Sequence, residues 1–406
     1  MKLVEQVYRK SVEALEVVHK YAHRTPLEHS ATFSRITGLN VYLKYENMQK
    51  TGSFKVRGAL YKVSRVASRV KGVVAASAGN HAQGVAYAAR CYGLKAVIVM
   101  PETASIAKIE ATKGYGAEVI LYGRVYDEAE QEARRIAREK GYEFIHAFND
   151  VDVIAGQGTI GHELLEQLPS VDAIVVPIGG GGLISGIASV VKTRKPNVKV
   201  IGVEPSHAPK MLASLRAGHP VRIEPKPTIA DGLVAKSPGE LTYSIVSELV
   251  DDIVTVSEEE IAHAIYLLLE RCKILAEGAG AVSIAAILSG KVDVERGRNI
   301  VAIISGGNID LTQLYRVLLR GLCEAGRIVV IEGYAPDTPG TLYRITGVIA
   351  KHKGNIIDVI HERTDIHAPA WHTKIVIVVE VPSLNTAKNI VDELSKLGYR
   401  FTIQSI

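Results

Sequence analysis

The sequence predicts an α/β protein in two parts: a two-lobed unit over residues 1–322 and a ferredoxin-like β-α-β-β-α-β domain over residues 327–406. Three observations predict this. Apolar, strand-like runs alternate with helix-period stretches through the first part, as parallel sheets with crossover helices require. Several of those runs end in glycine-containing turns, the place where open α/β sheets bind ligands. The pattern then changes near Arg327, where a compact set of four strands and two helices begins.

Residues 1–24 mix charged and apolar residues at helical spacing and hold no apolar core of signal-peptide length. The strand-like runs are Val73–Ala76, Ala96–Met100, Glu118–Leu121, Ala173–Ile178, Val198–Val203 and Ile300–Ile304. Runs that are apolar throughout suit strands covered on both faces. Helical patterns lie at Ala82–Cys91, Ile106–Thr112, Asp127–Lys140, Leu183–Lys192 and Glu258–Cys272. Ser257 and Glu260 form a capping box for the last of these. At this length the unit divides into two lobes with a cleft between them.

In the second part Arg327–Glu332 reads as a strand. Thr341–His352 carries Leu342, Ile345, Val348 and Ile349 on one helical face and stops before Gly354, a natural C-terminal cap. Asn355–His361 and Lys374–Val381 read as strands, and Thr386–Leu397 as a helix with Ala387, Ile390, Val391, Leu394 and Leu397 on one face. Tyr399–Ile406 reads as the closing strand. That order is the ferredoxin-like one.

Composition narrows the function. The 406 residues are 47% hydrophobic and 22% charged, which is globular rather than disordered. The net charge of +5 is spread among interleaved acids and bases, without the basic stripe that nucleic acid needs. Cys91, Cys272 and Cys323 are scattered and lack metal or disulfide spacing, which fits a reducing compartment. The longest uncharged run, Ala173–Val191, contains Pro177 and four consecutive glycines and reads as strand, turn and helix rather than a membrane span. A cytoplasmic protein is expected, with neither membrane nor nucleic acid as partner.

Four segments carry chemistry. Lys55 lies in Lys50-Thr51-Gly52-Ser53-Phe54-Lys55-Val56-Arg57-Gly58-Ala59. A lone lysine is usually a solvated charge, but Gly52, Phe54 and Gly58 suggest a compact turn where backbone comes close to something. A desolvated lysine loses basicity and attacks aldehydes. Gly179-Gly180-Gly181-Gly182 stands between a buried strand and an apolar helix, an unusual place for a linker. Backbone N–H groups converging at a helix N-terminus there would hold an anion, a phosphate being the best fit. Neither the dinucleotide G-x-G-x-x-G pattern nor the P-loop pattern is present. Ser77-Ala78-Gly79-Asn80-His81 follows a strand, and Asn80 is either a helix cap or a ligand for a polar group. Ser305-Gly306-Gly307-Asn308 follows another. Turns of this kind point toward one crevice.

Together these segments resemble the fold-type II pyridoxal-phosphate enzymes, the tryptophan synthase β-like group. Arg24-Thr25-Pro26-Leu27, Lys44-Tyr45-Glu46-Asn47 and Ala230-Asp231-Gly232 extend the likeness over residues 20–320. Within the group the chain is most similar to the threonine ammonia-lyase (threonine dehydratase) family, with serine racemase a close relative. The resemblance implies pyridoxal 5'-phosphate as cofactor, carried on Lys55, which is also the catalytic base. It implies that Phe54 and Asn80 contact the cofactor, that Gly179, Gly180, Gly181 and Gly182 cradle its phosphate, and that Ser305 faces its ring nitrogen. Ser77, Ala78, Gly79, Asn80 and His81 would hold the substrate carboxylate. The implied reaction converts L-threonine to 2-oxobutyrate and ammonia, and L-serine to pyruvate. A serine racemase or serine dehydratase and a non-catalytic amino-acid sensor are the alternatives.

Two positions depart from the racemase pattern. Ala78 stands where those relatives carry a second serine, so the donor for reprotonation from the far face is missing. Their divalent-cation ligands match Glu204, Ala208 and Lys210 here. Lysine replaces an anionic ligand, so no metal is expected. Lys210 either fills the site as a tethered charge paired with Glu204 or lies on the surface. The last part resembles an ACT domain through Asp337-Thr338-Pro339-Gly340-Thr341-Leu342 and Gly354-Asn355-Ile356-Ile357. The likeness implies a homo-oligomer, dimer or tetramer, and an amino-acid effector, isoleucine first, bound near Asp337, Pro339, Gly340 and Ile357. In that reading Pro339 occupies the first helical turn. A purely structural appendage is the alternative.

Overall fold

The computed structural model describes residues 2–404. The chain begins with α1 (Leu3–Tyr21), β1 (Leu27–His29), α2 (Ala31–Thr37), β2 (Asn40–Tyr45), α3 (Lys55–Val66), β3 (Gly72–Ala76), α4 (Asn80–Cys91), β4 (Lys95–Met100), α5 (Ile106–Gly114), β5 (Glu118–Leu121), α6 (Tyr126–Lys140) and β6 (Glu143–Phe144). It continues with α7 (Val151–Gln167), β7 (Ala173–Pro177), α8 (Gly182–Arg194), β8 (Lys199–Pro205), α9 (Lys210–Ala217), α10 (Glu240–Leu249), β9 (Asp252–Val256), α11 (Glu258–Leu267), α12 (Gly278–Leu288) and β10 (Asn299–Ile304). It closes with α13 (Leu311–Glu324), β11 (Ile328–Pro336), α14 (Thr341–Lys351), β12 (Asn355–Glu362), β13 (His372–Glu380), α15 (Leu384–Lys396) and β14 (Arg400–Gln404).

Two sheets organise the first unit. One runs β1-β2-β10-β7-β8-β9 and the other β5-β4-β3-β6. β1 pairs antiparallel with β2, and every other neighbour in both sheets is parallel. Every residue of β3 and β7 is buried, which is why those strands are written as unbroken runs without a polar side chain. Strands β2 and β9 left no such signature. β2 buries Lys44 and β9 opens on Asp252, and those charges interrupt the apolar pattern.

Helices α3 and α7 cross with their backbones in contact. A Cβ on Gly156 would lie 2.6 Å from Gly58 Cα. Gly58 therefore serves helix packing inside α3. The turn expected around it ends earlier, at Gly52, whose φ of +70° is the left-handed conformation that favours glycine. The capping box at Ser257 and Glu260 is present, with Glu260 Oε2 accepting Ser257 N–H at 2.7 Å. The helix it opens is regular only to Leu267 and continues as a wider π turn over Leu268–Cys272.

The chain divides into two compact units after Asp310, so α13 groups with the second unit rather than ending the first. After α13 the second unit runs β-α-β-β-α-β, with an antiparallel sheet ordered β12-β13-β11-β14. Its core joins Val329, Ile331, Ile345, Ile349, Ile377, Ile390, Leu394 and Phe401. Two local expectations are corrected there. Lys353, not Gly354, takes the left-handed conformation after α14; Gly354 is small because a Cβ would meet Ile349 and Val379. Pro339 lies outside the helix, since Gly340 is the N-cap. Of the expected closing strand Tyr399–Ile406, residues 400–404 are extended, and Ser405 and Ile406 lie outside the described residues. Among the described residues no helix is long and apolar enough to cross a membrane. The uncharged run Ala173–Val191 resolves into β7, a turn and α8.

Candidate functional site

The lysine loop and the serine loop are stitched together at the ends of their elements. Phe54 N–H donates to Ser305 O at 3.1 Å and Gly307 N–H to Gly52 O at 2.9 Å. Ser53 and Gly306 form an isolated β-bridge, and Asn308 Nδ2 donates to Thr51 O at 2.9 Å. Lys55 is the first residue of α3, and its Nζ donates to Ala147 O at 3.0 Å. The amine lies 5.3 Å from the centre of the Phe54 ring. Burial pulls its pKa down to about 8, against the opposing pull of Glu277. A lysine so placed has an accessible neutral, nucleophilic form near neutral pH.

Asn80 does not cap its helix. Gly79 is the N-cap of α4, and the Asn80 side chain turns to two partners. Its Nδ2 donates to Glu277 Oε1 at 2.6 Å, and its Oδ1 accepts from Asn308 Nδ2 at 2.7 Å. Glu277 was missed in the sequence. Burial, reinforced by the charge of Asp231, pushes its pKa up to about 7. The available signal was a single carboxylate within the uncharged stretch Ile274–Ile287, ahead of the buried helix α12. Its N–H also donates to Gly306 O at 3.1 Å, which ties it to the serine loop. Ser305 itself is buried, with Oγ donating to Ala279 O at 3.2 Å.

The four glycines join β7 to α8. Gly181 has φ of +96° and is the N-cap with no side-chain cap, and the first N–H groups of α8 have no acceptor within the helix. A Cβ on Gly180 would lie 2.3 Å from the Phe148 ring, and one on Gly181 2.8 Å from Met211 and Thr242. Only glycine fits that path. Phe148 follows Ala147, the acceptor of Lys55, so one segment touches both the amine and the glycine loop. His146 Nδ1 accepts the N–H groups of Phe148 and Asn149 at 3.2 and 2.9 Å and fixes that segment. His81 is buried, and its Nε2–H donates to Ile145 O at 2.9 Å. Burial holds its pKa down to about 3, so the ring is neutral.

A lysine at a helix start, a glycine cradle at another and a buried serine at a third strand end form one constellation, and comparison with known proteins gives it a family. A family model described as pyridoxal-phosphate dependent enzyme matches residues 18–306, and an ACT domain model matches residues 329–399. The chain belongs to the pyridoxal-phosphate dependent enzyme family. It is 48% identical over 393 residues to L-threonine ammonia-lyase of Thermotoga maritima, covering 96% of this chain and 98% of that protein. The processed form of threonine deaminase isoform 2 from Solanum lycopersicum superposes with a TM-score of 0.74 at 41% identity, covering 77% of this chain and 92% of that one. Maize serine racemase superposes at 0.73 and 37% identity, covering 78% and 98%.

The residues present suit the family's cofactor. The glycine loop offers N–H donors and backbone room for a phosphate, Lys55 offers an amine of lowered basicity, and Ser305 offers a neutral hydroxyl in a buried setting. The first-unit residues expected for cofactor and carboxylate thus fall on adjoining strand ends: Lys55, Phe54, Asn80, Ser305 and the glycines, with Ser77–His81 leading into α4. Gly79 N–H donates to Ser77 Oγ at 3.1 Å, which folds that turn. Ala78 packs against the neighbouring core and carries no hydroxyl. Lys210 is not a surface residue: it is fully buried, and its Nζ lies 3.0 Å from Glu204 Oε1.

The residues expected near an effector lie in the segment matched by the ACT domain model. Asp337 is paired with Arg363 at 2.8 Å, Pro339 and Gly340 are exposed, and a Cβ on Gly340 would meet nothing within 4 Å. Ile356 packs on the domain core, whereas Ile357 sits at a register shift in β12 and is 53% exposed. The two isoleucines therefore face different ways.

Proposed function

We propose that this enzyme deaminates L-threonine to 2-oxobutyrate and ammonia, and L-serine to pyruvate, under control of an amino acid bound at the ACT domain. The observation that carries the reading is the half-buried amine of Lys55, bonded to Ala147 O, whose neighbour Phe148 packs on the glycine loop at the start of α8. Full-length likeness to an L-threonine ammonia-lyase supports the same substrate. Pyridoxal phosphate, when bound, supplies an electron sink for the bond that breaks at the substrate α-carbon.

The chain's own part follows from its groups. Lys55 Nζ would hold the cofactor, and its free amine would take the substrate α-proton, a role open to an amine whose pKa is about 8. The N–H groups at the start of α4, with Ser77 and Asn80, receive the substrate carboxylate. Gly179–Gly182 would receive the phosphate, and Asn80, held by Glu277 and Asn308, would orient the ring. Ser305 is neutral, so it favours a ring nitrogen without a full positive charge. Elimination of the β-hydroxyl then competes well with slower fates of the α-carbon. At Ala78 no hydroxyl is present to return a proton from the opposite face, which disfavours racemisation. A homo-oligomer in the cytoplasm completes the reading.

The test is release of 2-oxo acid from L-threonine and L-serine, with D-serine measured alongside. 2-Oxobutyrate and pyruvate with little D-serine are expected; D-serine formed as fast as pyruvate overturns the Ala78 argument. Borohydride reduction of the holoenzyme followed by peptide mapping should label Lys55, and a label on another lysine removes the assignment. Lys55→Ala should still bind cofactor weakly and release no oxo acid.

A further inference from the structure

The most unusual charge in the first unit is Lys210. It begins α9, is fully buried, and presents its Nζ to four oxygens on three separate stretches of chain. Ile178 O lies at 2.8 Å, Leu233 O at 2.9 Å, Glu204 Oε1 at 3.0 Å and Ala208 O at 3.3 Å. Ile178 is the residue immediately before the glycine loop. Leu233 ends the short turn Asp231–Leu233, against which the loop rests: a Cβ on Gly179 would lie 3.3 Å from Gly232 O and 3.6 Å from the Leu233 side chain. The ammonium therefore clamps the root of the glycine loop to the turn beside it.

The surroundings are built for a cation. Three peptide carbonyls and a carboxylate converge, and without a positive charge their negative ends would repel across a dry interior. An ammonium has three N–H donors where a neutral amine has two, so only the charged form comes near to satisfying four acceptors. Glu204 is itself fixed, since its two oxygens accept Met211 N–H and Leu212 N–H at 2.9 Å each. Burial pulls the lysine pKa down and Glu204 pulls it back up. Met211, next along α9, packs under Gly181. The same helix start thus braces both ends of the loop.

We propose that Lys210 is a positioning residue for the cofactor phosphate: its buried ammonium sets the path of Gly179–Gly182 from behind, through Ile178 O and Leu233 O, without touching the phosphate. This rests on the reading that the glycine loop holds that phosphate. The role is separate from general stability, because its effect is felt through the part of the loop that faces one chemical group.

The test compares pyridoxal 5'-phosphate with pyridoxal, which lacks the phosphate, binding to full-length cofactor-stripped protein by absorbance and fluorescence titration. The wild type should bind the phosphorylated form far more tightly. Lys210→Met, similar in length and uncharged, should weaken the phosphorylated form by roughly ten- to a hundred-fold, the scale of losing hydrogen bonds to a charged group, and pyridoxal by less than about twofold. Lys210→Ala should behave alike, and n-propylammonium, which matches the deleted atoms, should restore part of the preference. If Lys210→Ala does not fold, Lys210→Met carries the same comparison. A wild type with no preference for the phosphorylated form overturns the loop reading itself. A preference kept in both variants, or an equal loss for both ligands, overturns the role of Lys210 and leaves the loop reading standing.

Discussion

At the scale of single residues the site turns on a carboxyl that motif reading passed over. Glu277 is buried, bonded to Asn80 Nδ2 at 2.6 Å, and has its pKa raised by burial to about 7. An acid whose pKa is higher in the folded than in the unfolded state stabilises the fold fully below its ordinary value. That contribution is lost as pH rises through the folded value. For Glu277 the window runs from about 4.5 to about 7. Glu277→Gln keeps an oxygen for Asn80 and removes the ionisation. In cofactor-free protein the thermal midpoint of the wild type should therefore fall relative to that of Glu277→Gln between pH 5 and pH 8. Parallel pH profiles would mean that Glu277 is not held protonated by the fold. In the holoenzyme Glu277→Leu, which takes the acceptor away from Asn80 Nδ2, should lower kcat and raise KM together, whereas Glu277→Gln should change both far less.

At the scale of elements, α3 begins with Lys55 and is held from behind by a buried ionic cluster. Arg57 donates to Glu46 through Nε and Nη2, both at 2.8 Å, and to Glu163 through Nη1 and Nη2 at 2.6 and 3.0 Å. Lys44 Nζ closes the cluster on Glu163 at 2.6 Å and on Thr25 O at 2.9 Å. Burial opposes the Arg57 charge, but the two carboxylates outweigh it and hold the guanidinium above its ordinary value. Glu163 is held below the carboxylate range by the same pairing, chiefly with Arg57, despite its burial. Removing one partner leaves a carboxylate buried and underpaired, a loss of about 3–5 kcal/mol in comparable settings. Arg57→Met should lower the urea unfolding free energy by about that amount. Arg57→Lys should recover little of it, since one ammonium cannot span both carboxylates. A loss below about 1 kcal/mol for Arg57→Met would show that the cluster does not brace α3.

At the scale of the whole molecule, the ACT domain raises the question of control. An effector acts only through unequal affinity for two states, with couplings of about 1–3 kcal/mol. Isoleucine should shift threonine half-saturation by roughly five- to a hundred-fold, with valine as its antagonist. Deleting residues 327–406 should abolish the shift and leave an active core. Calorimetry that finds no isoleucine, valine, threonine or serine bound outside the active site, with unchanged kinetics after truncation, would make the domain structural. The contact boundary after Asp310 supplies a second truncation point, which tests whether α13 belongs functionally with the ACT domain.

The sequence by itself determined the fold class and singled out the loops that the fold brings together. Buried parallel strands must be apolar on both faces, so β3, β7 and β10 are visible as unbroken runs. Backbone packed against Phe148, Met211 and Thr242 leaves no room for a Cβ, so the loop at Gly179–Gly182 is visible as consecutive glycines. The same sequence could not say what Arg24–Leu27 and Lys44–Asn47 were for. Only tertiary structure brings Thr25, Lys44 and Glu46 against Arg57 and Glu163, because ion pairing joins residues far apart in the chain and leaves no period to read. Glu277 was hidden for the same reason, as its meaning lies in Asn80 and Asn308, which stand on other elements. Lys210 was open between surface and interior until four oxygens were found around it. Burial of a charge depends on what the rest of the chain can bring to it, and that is decided in three dimensions.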